Sequence, residues 1–337
     1  MMKRKFIYLL LLCFTWIATE SQAQQLPLTS HYMVNQYAID PAFAGTYERA
    51  AVMLNYRRDY TGIPDGPNTF RANGFGRIYD NMYLGGSLMS DKVAIFQRFA
   101  VNLNYTYRLQ MAESQYLSFA LWGSFYQSIF SIDEMIGNMN DPVFSDKSDV
   151  TRSNFNAGFS LLYNNPYIKI GIGMPLLFRI SGNEGNGTTG ENIFERAFMI
   201  HASNKYRVGT RWQLQPFILY QKTDKEPGVI DISGTAIFNE QFWVTMLYRN
   251  SYGSRISLGV GAELIKDFIL NYSYEFGASS KSAALGGSHE ITLGWRLPAI
   301  ETGRYAKDPR VRAVNQQTKP RWGDVTPVEY DKRRLNR

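Results

Sequence analysis

From Phe99 to Leu109 the chain alternates without a break. Phe99, Val101, Leu103, Tyr105, Tyr107 and Leu109 fall on one face; Ala100, Asn102, Asn104, Thr106 and Arg108 fall on the other. A strand sends successive side chains to opposite faces, so this spacing predicts a strand with one apolar and one polar side. The pattern returns towards the C-terminus. Phe268, Leu270, Tyr272, Tyr274 and Phe276 oppose Asn271, Ser273 and Glu275, and His289, Ile291, Leu293, Trp295 and Leu297 oppose Glu290, Thr292, Gly294 and Arg296. Similar runs at 51–56, 70–79, 83–89, 117–127, 155–163, 167–174, 198–206, 212–221, 230–238, 242–249 and 256–264 bring the expected total to about fourteen strands.

The connections alternate in length. Short ones are expected at 80–81, 110–114, 164–166, 207–211, 239–241 and 265–267, and longer ones at 57–68, 90–97, 128–151, 175–196, 222–228, 250–254 and 277–288. An up-and-down antiparallel barrel in an outer membrane does this, with tight turns facing the periplasm and long loops facing outside. A soluble β-sandwich has the same alternation with its apolar face buried, so period two leaves both folds open. Three features favour lipid on the apolar face. Aromatic rings cluster near strand ends, the polar faces are rich in Asn, Ser, Thr, Gly and Gln, and the last strand closes on Trp295 and Leu297. The expected fold is therefore an all-β transmembrane up-and-down antiparallel barrel.

The two ends read differently. Lys3, Arg4 and Lys5 precede a short apolar run from Phe6 to Ile17, and Ser21-Gln22-Ala23 offers small residues for signal peptidase. This is the pattern of a cleaved secretory signal, with Gln24 as the mature start. The run is too short for a retained anchor, and Leu12 before Cys13 does not suit a lipoprotein signal. Cleavage removes Cys13, the only cysteine, so the mature chain has no thiol chemistry. Of the formal charge of +7, the signal carries +2 and residues 299–337 carry +5, which leaves the body neutral. The expected organisation is a signal at 1–23, an N-terminal periplasmic segment at 24–48, the barrel at 49–298 and a basic, disordered periplasmic tail at 299–337. Arg304, Lys307, Arg310, Arg312, Lys319, Arg321, Lys332, Arg333, Arg334 and Arg337 give that tail its charge. It has too little apolar content to fold alone, and it suits electrostatic docking on an acidic partner. Nucleic acid is not an expected partner for an exported chain.

No catalytic, cofactor or metal site is expected. His31, His201 and His289 stand apart without zinc-ligand spacing. Asp133, Glu134, Asn138, Asn140 and Asp141 make the 128–151 connection acidic, but they lack the ligand spacing and central glycine of a calcium loop. No serine sits in a nucleophile elbow. Glu263 and Glu275 fall on polar faces of different strands, and spacing alone does not say whether they meet. Gly85-Gly86 and Gly171-x-Gly173 lie inside strand patterns, where glycine permits a bend or close backbone approach. Asp40-Pro41-Ala42 and Pro64-Asp65-Gly66-Pro67 are turn formers.

The stretch Ser30-His31-Tyr32-Met33-Val34-Asn35-Gln36-Tyr37-Ala38-Ile39-Asp40-Pro41-Ala42-Phe43-Ala44-Gly45 resembles the opening of PorP/SprF-like outer-membrane proteins. Further resemblance lies in Asn55-Tyr56-Arg57-Arg58-Asp59-Tyr60-Thr61-Gly62 with Gly66-Pro67-Asn68-Thr69, and in Leu84-Gly85-Gly86-Ser87-Leu88-Met89-Ser90-Asp91-Lys92. It continues in Asn271-Tyr272-Ser273-Tyr274-Glu275-Phe276 with Gly287-Ser288-His289-Glu290-Ile291-Thr292-Leu293-Gly294-Trp295-Arg296. Asp40 departs from the usual Asn, Asp59-Tyr60 from the usual Gln-Trp, and the tail continues beyond the last strand. The resemblance implies a non-enzymatic component of the Bacteroidetes type IX secretion and gliding-motility apparatus. Its partners would be periplasmic ring components, secreted cargo domains and outer-membrane lipid. A passive porin-like channel for small solutes is the competing expectation.

Overall fold

The computed structural model describes residues 28–297, apart from 48, 113, 132–149, 179, 184–188, 225, 251–252 and 266. The expected signal (1–23), the acidic residues Asp133, Glu134, Asn138, Asn140 and Asp141, and the tail (299–337) lie outside the described residues.

Among the described residues seventeen strand segments follow one another: β1 (Ala51–Arg58), β2 (Asn68–Tyr79), β3 (Met82–Val93), β4 (Phe96–Ala112), β5 (Gln115–Phe130), β6 (Val150–Asn164), β7 (Lys169–Leu176), β8 (Ile180–Asn183), β9 (Thr189–Phe194), β10 (Ala197–Ser203), β11 (Tyr206–Val208), β12 (Trp212–Thr223), β13 (Val229–Phe238), β14 (Phe242–Asn250), β15 (Ser254–Ile265), β16 (Phe268–Gly277) and β17 (Ser288–Arg296). Each strand of the wall pairs antiparallel with its neighbours. β7 pairs with β10, β10 with β12, and β1 joins β17 from Ala51 opposite Arg296 to Arg58 opposite His289. The sheet therefore closes on itself as a fourteen-stranded barrel, which leaves no unpaired edge for lipid to solvate. β8 and β9 form a separate hairpin, and β11 adds a short pairing to β12.

Each expected strand is present, and burial settles which face is outside. On β4, Leu103 is 71% exposed and Asn104 5%; on β6, Phe155 is 75% exposed and Asn156 5%. Apolar residues point out and polar residues point in, the reverse of a soluble sandwich. Exposed rings mark both rims. Tyr79, Tyr167, Tyr206, Trp212, Phe242 and Trp295 lie near the short-turn end, and Tyr56, Phe70, Phe96, Phe198, Tyr248 and Phe276 near the other. Amphipathic rings suit the two membrane interfaces.

Two connections differ from expectation. The stretch 90–97 was expected as a long loop, but β3 runs to Val93 and β4 starts at Phe96, leaving Ala94 and Ile95 as the turn. Asp91 opposite Arg98 and Lys92 opposite Gln97 continue the ladder with polar pairs. Sequence polarity here marks a strand leaving the apolar zone rather than a loop. The 175–196 connection likewise contains the β8–β9 hairpin. At the short-turn end, Asn239 (φ 49°) and Glu240 (φ 59°) both adopt positive φ, the geometry of a tight turn whose twist matches the flanking strands.

The main departure is at the N-terminus. The sequence placed 24–48 outside the barrel as a periplasmic segment. Instead, Ser30 to Thr46 lies inside the barrel, in three short 3₁₀ turns: His31–Met33, Gln36–Ala38 and Pro41–Thr46. The physical reason is its apolar content. Tyr32, Met33, Val34, Tyr37, Ala42 and Phe43 are all buried against inward-facing wall residues. Burying Phe43 alone is worth about 2 kcal/mol relative to leaving it in water.

Candidate functional site

The luminal segment and the wall around it form the most elaborate site among the described residues. The segment's local shape follows from its sequence. Pro41 has φ preset for the first position of a helical turn, and the Asp40 side chain caps that turn by accepting from the Ala42 amide at 2.8 Å. Asp40 then spends its remaining acceptor capacity on the wall, receiving the Ser160 hydroxyl of β6 at 2.5 Å and meeting His201 Nε2 of β10 at 2.8 Å.

Ring contacts continue around this point. Phe43 stacks on His201 with centroids 5.0 Å apart, His201 stacks on Phe217 at 5.7 Å, and Tyr32 lies 4.9 Å from Phe217. Tyr37 and Tyr47 flank Phe75 at 4.7 and 4.9 Å. Leu162, Met199, Leu219 and Leu247 complete the apolar contact from the wall. Two glycines make the close approach possible. A Cβ at Gly171 would strike the His201 imidazole, and one at Gly85 would strike the Tyr37 hydroxyl.

Near the long-loop end a buried charge network holds the start of the segment. Arg57 of β1 reaches Glu290 at 2.9 Å, Glu275 at 3.0 Å and Asp59 at 2.6 Å. Glu275 also meets Arg255 at 2.6 Å and Arg249 at 3.4 Å, and Arg249 pairs with Asp231 at 2.7 Å. The segment is part of this network. The Ser30 amide donates to Glu290 at 2.8 Å, the Ser30 hydroxyl to Glu275 at 3.0 Å, and Arg249 donates to the Thr29 carbonyl at 2.7 Å. His31 sits between the hydroxyls of Thr292 (2.7 Å) and Ser273 (2.8 Å). Buried charges require such pairing, because desolvation of a lone ion costs several kcal/mol.

At the short-turn end the segment joins β1 beside the exit of β17. Arg49 donates to the Leu297 carbonyl at 2.9 Å and the Arg296 carbonyl at 3.2 Å, and pairs with Asp267 at 2.5 Å. Arg296 also pairs with Glu263. The two carboxylates left open by the sequence are thus in different clusters at opposite ends of the barrel. The three histidines are separate as well. His31 and His201 are luminal, and His289 meets the Tyr272 hydroxyl at 2.7 Å on the outer face. Among the described residues no group of three or more His, Cys, Asp or Glu is placed to hold a metal ion.

A cavity of about 150 Å³ remains beside the segment, lined among others by Leu28, Tyr37, Arg71, Asn102, Trp122 and Gln221. The arrangement positions and retains a peptide segment; it does not assemble a nucleophile, a base and a charge-stabilising group around one reacting atom.

Sequence reasoning missed this site because period two was read as one apolar and one polar face throughout. A signal was present where the pattern fails. Phe217-Ile218-Leu219 and Met246-Leu247-Tyr248 are apolar on both faces, and their inward members Phe217, Leu219 and Leu247 pack on the segment. Charged residues inside expected strands (Asp231, Arg249, Glu275 and Glu290) were a second signal.

A closed barrel with lipid-compatible walls and a packed interior defines this chain as an outer-membrane β-barrel protein; no helix among the described residues is long and apolar enough to cross a membrane. The family model for the type IX secretion system membrane protein PorP/SprF matches residues 21–295, and the chain belongs to that family. No curated relative matches it. Among solved structures it is similar to the Ralstonia pickettii toluene transporter TbuX, at 8% identity and a TM-score of 0.50, over 77% of this chain and 93% of that one. The CymD monoaromatic hydrocarbon channel aligns at 10% identity and a TM-score of 0.49 over 81% and 93%. Acinetobacter baumannii Omp33 aligns at 9% and 0.45 over 75% and 100%. At such identity the likeness to TbuX is one of fold alone.

Proposed function

We propose that this protein is a closed, non-enzymatic anchor of the type IX secretion apparatus that supports export or surface attachment of cargo proteins. The observation that carries the reading is the filled lumen in a chain of the PorP/SprF family: Tyr32, Ala42, Phe43 and Asp40 are fully buried where a conduit would hold water. In this reading the short turns face the periplasm and the long loops face outside, as is usual for outer-membrane barrels. The root of the basic tail at Leu297 then lies beside the periplasmic ring components, where residues 299–337 dock by charge, and cargo meets the opposite end. Residues 1–23 act as the removed signal.

The test compares culture supernatants of a strain lacking the gene, its parent and a complemented strain. The expected result is loss of a defined set of secreted proteins, restored by complementation. An unchanged secretome would overturn the reading. The porin-like alternative requires solute conductance from the reconstituted wild-type protein, which a filled lumen opposes.

A further inference from the structure

The luminal segment has a direction. Thr29 and Ser30 are held by Arg249, Glu290, Glu275 and Arg57, all near the long-loop ends of β14, β17, β16 and β1. Leu28 lines the spaces next to Pro175 and Gln221, also at the long-loop ends of their strands. Asp40 has reached the middle of β6 and β10, and Gly45 lies against Arg108 and Ser118 near the short turns. At Ala50 the chain is fixed, because Leu297 donates to its carbonyl at 2.8 Å and β1 begins at the next residue.

We propose that the segment is a one-way plug. Its free end opens on the same side as the long loops, its fixed end lies with the short turns, and it leaves the lumen only by being drawn towards the short-turn side. Pulling the free end outward is opposed by the covalent joint to β1, whereas pulling at 46–50 draws Leu28 through the lumen behind it. Arg49 couples that joint to the carbonyls of Arg296 and Leu297, so force applied at the root of the C-terminal tail reaches the plug directly. The Asp40 and Ser30 contacts are hydrogen bonds that can be broken and remade, with no covalent bond between segment and wall. The withdrawal step rests on the secretion role proposed above; the threading does not.

The experiment uses single cysteines in the full-length protein expressed in cells, since Cys13 falls within the removed signal. Leu28→Cys reports the free end, Asp65→Cys the β1–β2 loop, and Thr210→Cys the β11–β12 turn. A small, charged, membrane-impermeant thiol reagent is applied to intact and to permeabilised cells. Cys at 28 labelling under the same conditions as Cys at 65 supports the threading, and labelling together with Cys at 210 overturns it. Whichever pair reacts in intact cells separately reports which end of the barrel faces out.

Withdrawal is then tested with a biotin reagent followed by streptavidin, an adduct too large for the lumen. Secretion stopped by streptavidin at position 28, but not at position 65, is the expected result. A block at neither position, or at both, overturns withdrawal. If the strain lacking the gene secretes normally, the secretion role fails, while the labelling result on threading stands.

Discussion

Asp40, in the luminal segment, and His201, on the inner face of β10, meet at 2.8 Å with both side chains fully buried. The same carboxylate also caps the Pro41 turn and accepts from Ser160. One residue therefore sets the local shape of the segment and fastens it to β6 and β10, which flank β7 on one side of the wall. Asp40 is also where the chain departs from the Asn usual in PorP/SprF-like openings. A carboxylate offers two acceptor oxygens to the Ala42, Ser160 and His201 groups converging on it, where an amide offers one.

Asp40→Ala removes these acceptors together and leaves buried groups unpaired, at about 1–3 kcal/mol for each one stranded. Asp40→Asn keeps part of the set and is expected to cost about 1 kcal/mol. The ranking is read from the temperature at which the folded barrel loses its compact migration on gels, with Asn close to wild type and Ala well below it.

Gly171→Val and Gly85→Leu place side chains where the His201 ring and the Tyr37 hydroxyl lie. Both positions face inward, so the added side chains crowd the Asp40–His201 and Tyr37–Asn104 contacts that hold the segment. Wild-type protein in planar bilayers is expected to be silent or nearly so, and these variants, still compact on gels, are expected to conduct. Silent variants would show that the lumen is closed by more than the segment.

Arg57→Ala strips Glu290, Glu275 and Asp59 of a shared buried partner. Breaking such a network from one side typically costs about 3–5 kcal/mol, because the remaining charges stay buried. Arg57→Lys retains charge but not the fork that serves three carboxylates, and is expected to fall between. Urea unfolding of refolded protein in vesicles gives the order.

Leu103→Arg tests the outer face. Leu103 stands 71% exposed halfway along β4, and an arginine at the bilayer midplane of a barrel costs about 2–4 kcal/mol. The same substitution at Met111, near the short-turn end of β4, is expected to cost about 0–1 kcal/mol. Equal effects at both positions, measured by folding into lipid vesicles, would contradict a lipid-facing wall.

Much of the wall is legible in the sequence. Strand pairing obeys a two-residue period and turn chemistry, both written locally, so β16 and β17 were found to within a residue at each end, and β4 with three residues more at each end than its pattern showed. The lipid-facing side followed from which residue types shared a face. The 90–97 stretch was misread because a strand that leaves the apolar zone becomes polar in the same way that a loop does. Local pattern does not distinguish a ladder in water from a turn.

The luminal segment shows where the sequence stops. Its turn at Asp40-Pro41-Ala42 was readable, since a cap and a proline act within a few residues of themselves. Its burial was not. Whether Tyr32 and Phe43 find Phe217, and whether Ser30 finds Glu290 across 260 positions of chain, depends on closing a barrel around them. The sequence by itself determined the alternating wall, its short turns and its membrane-facing side, because each rests on near neighbours. Only the tertiary structure decided that the N-terminal segment fills the lumen and that Glu263 and Glu275 serve opposite ends. Those contacts join residues brought together by closure, and no local preference records them.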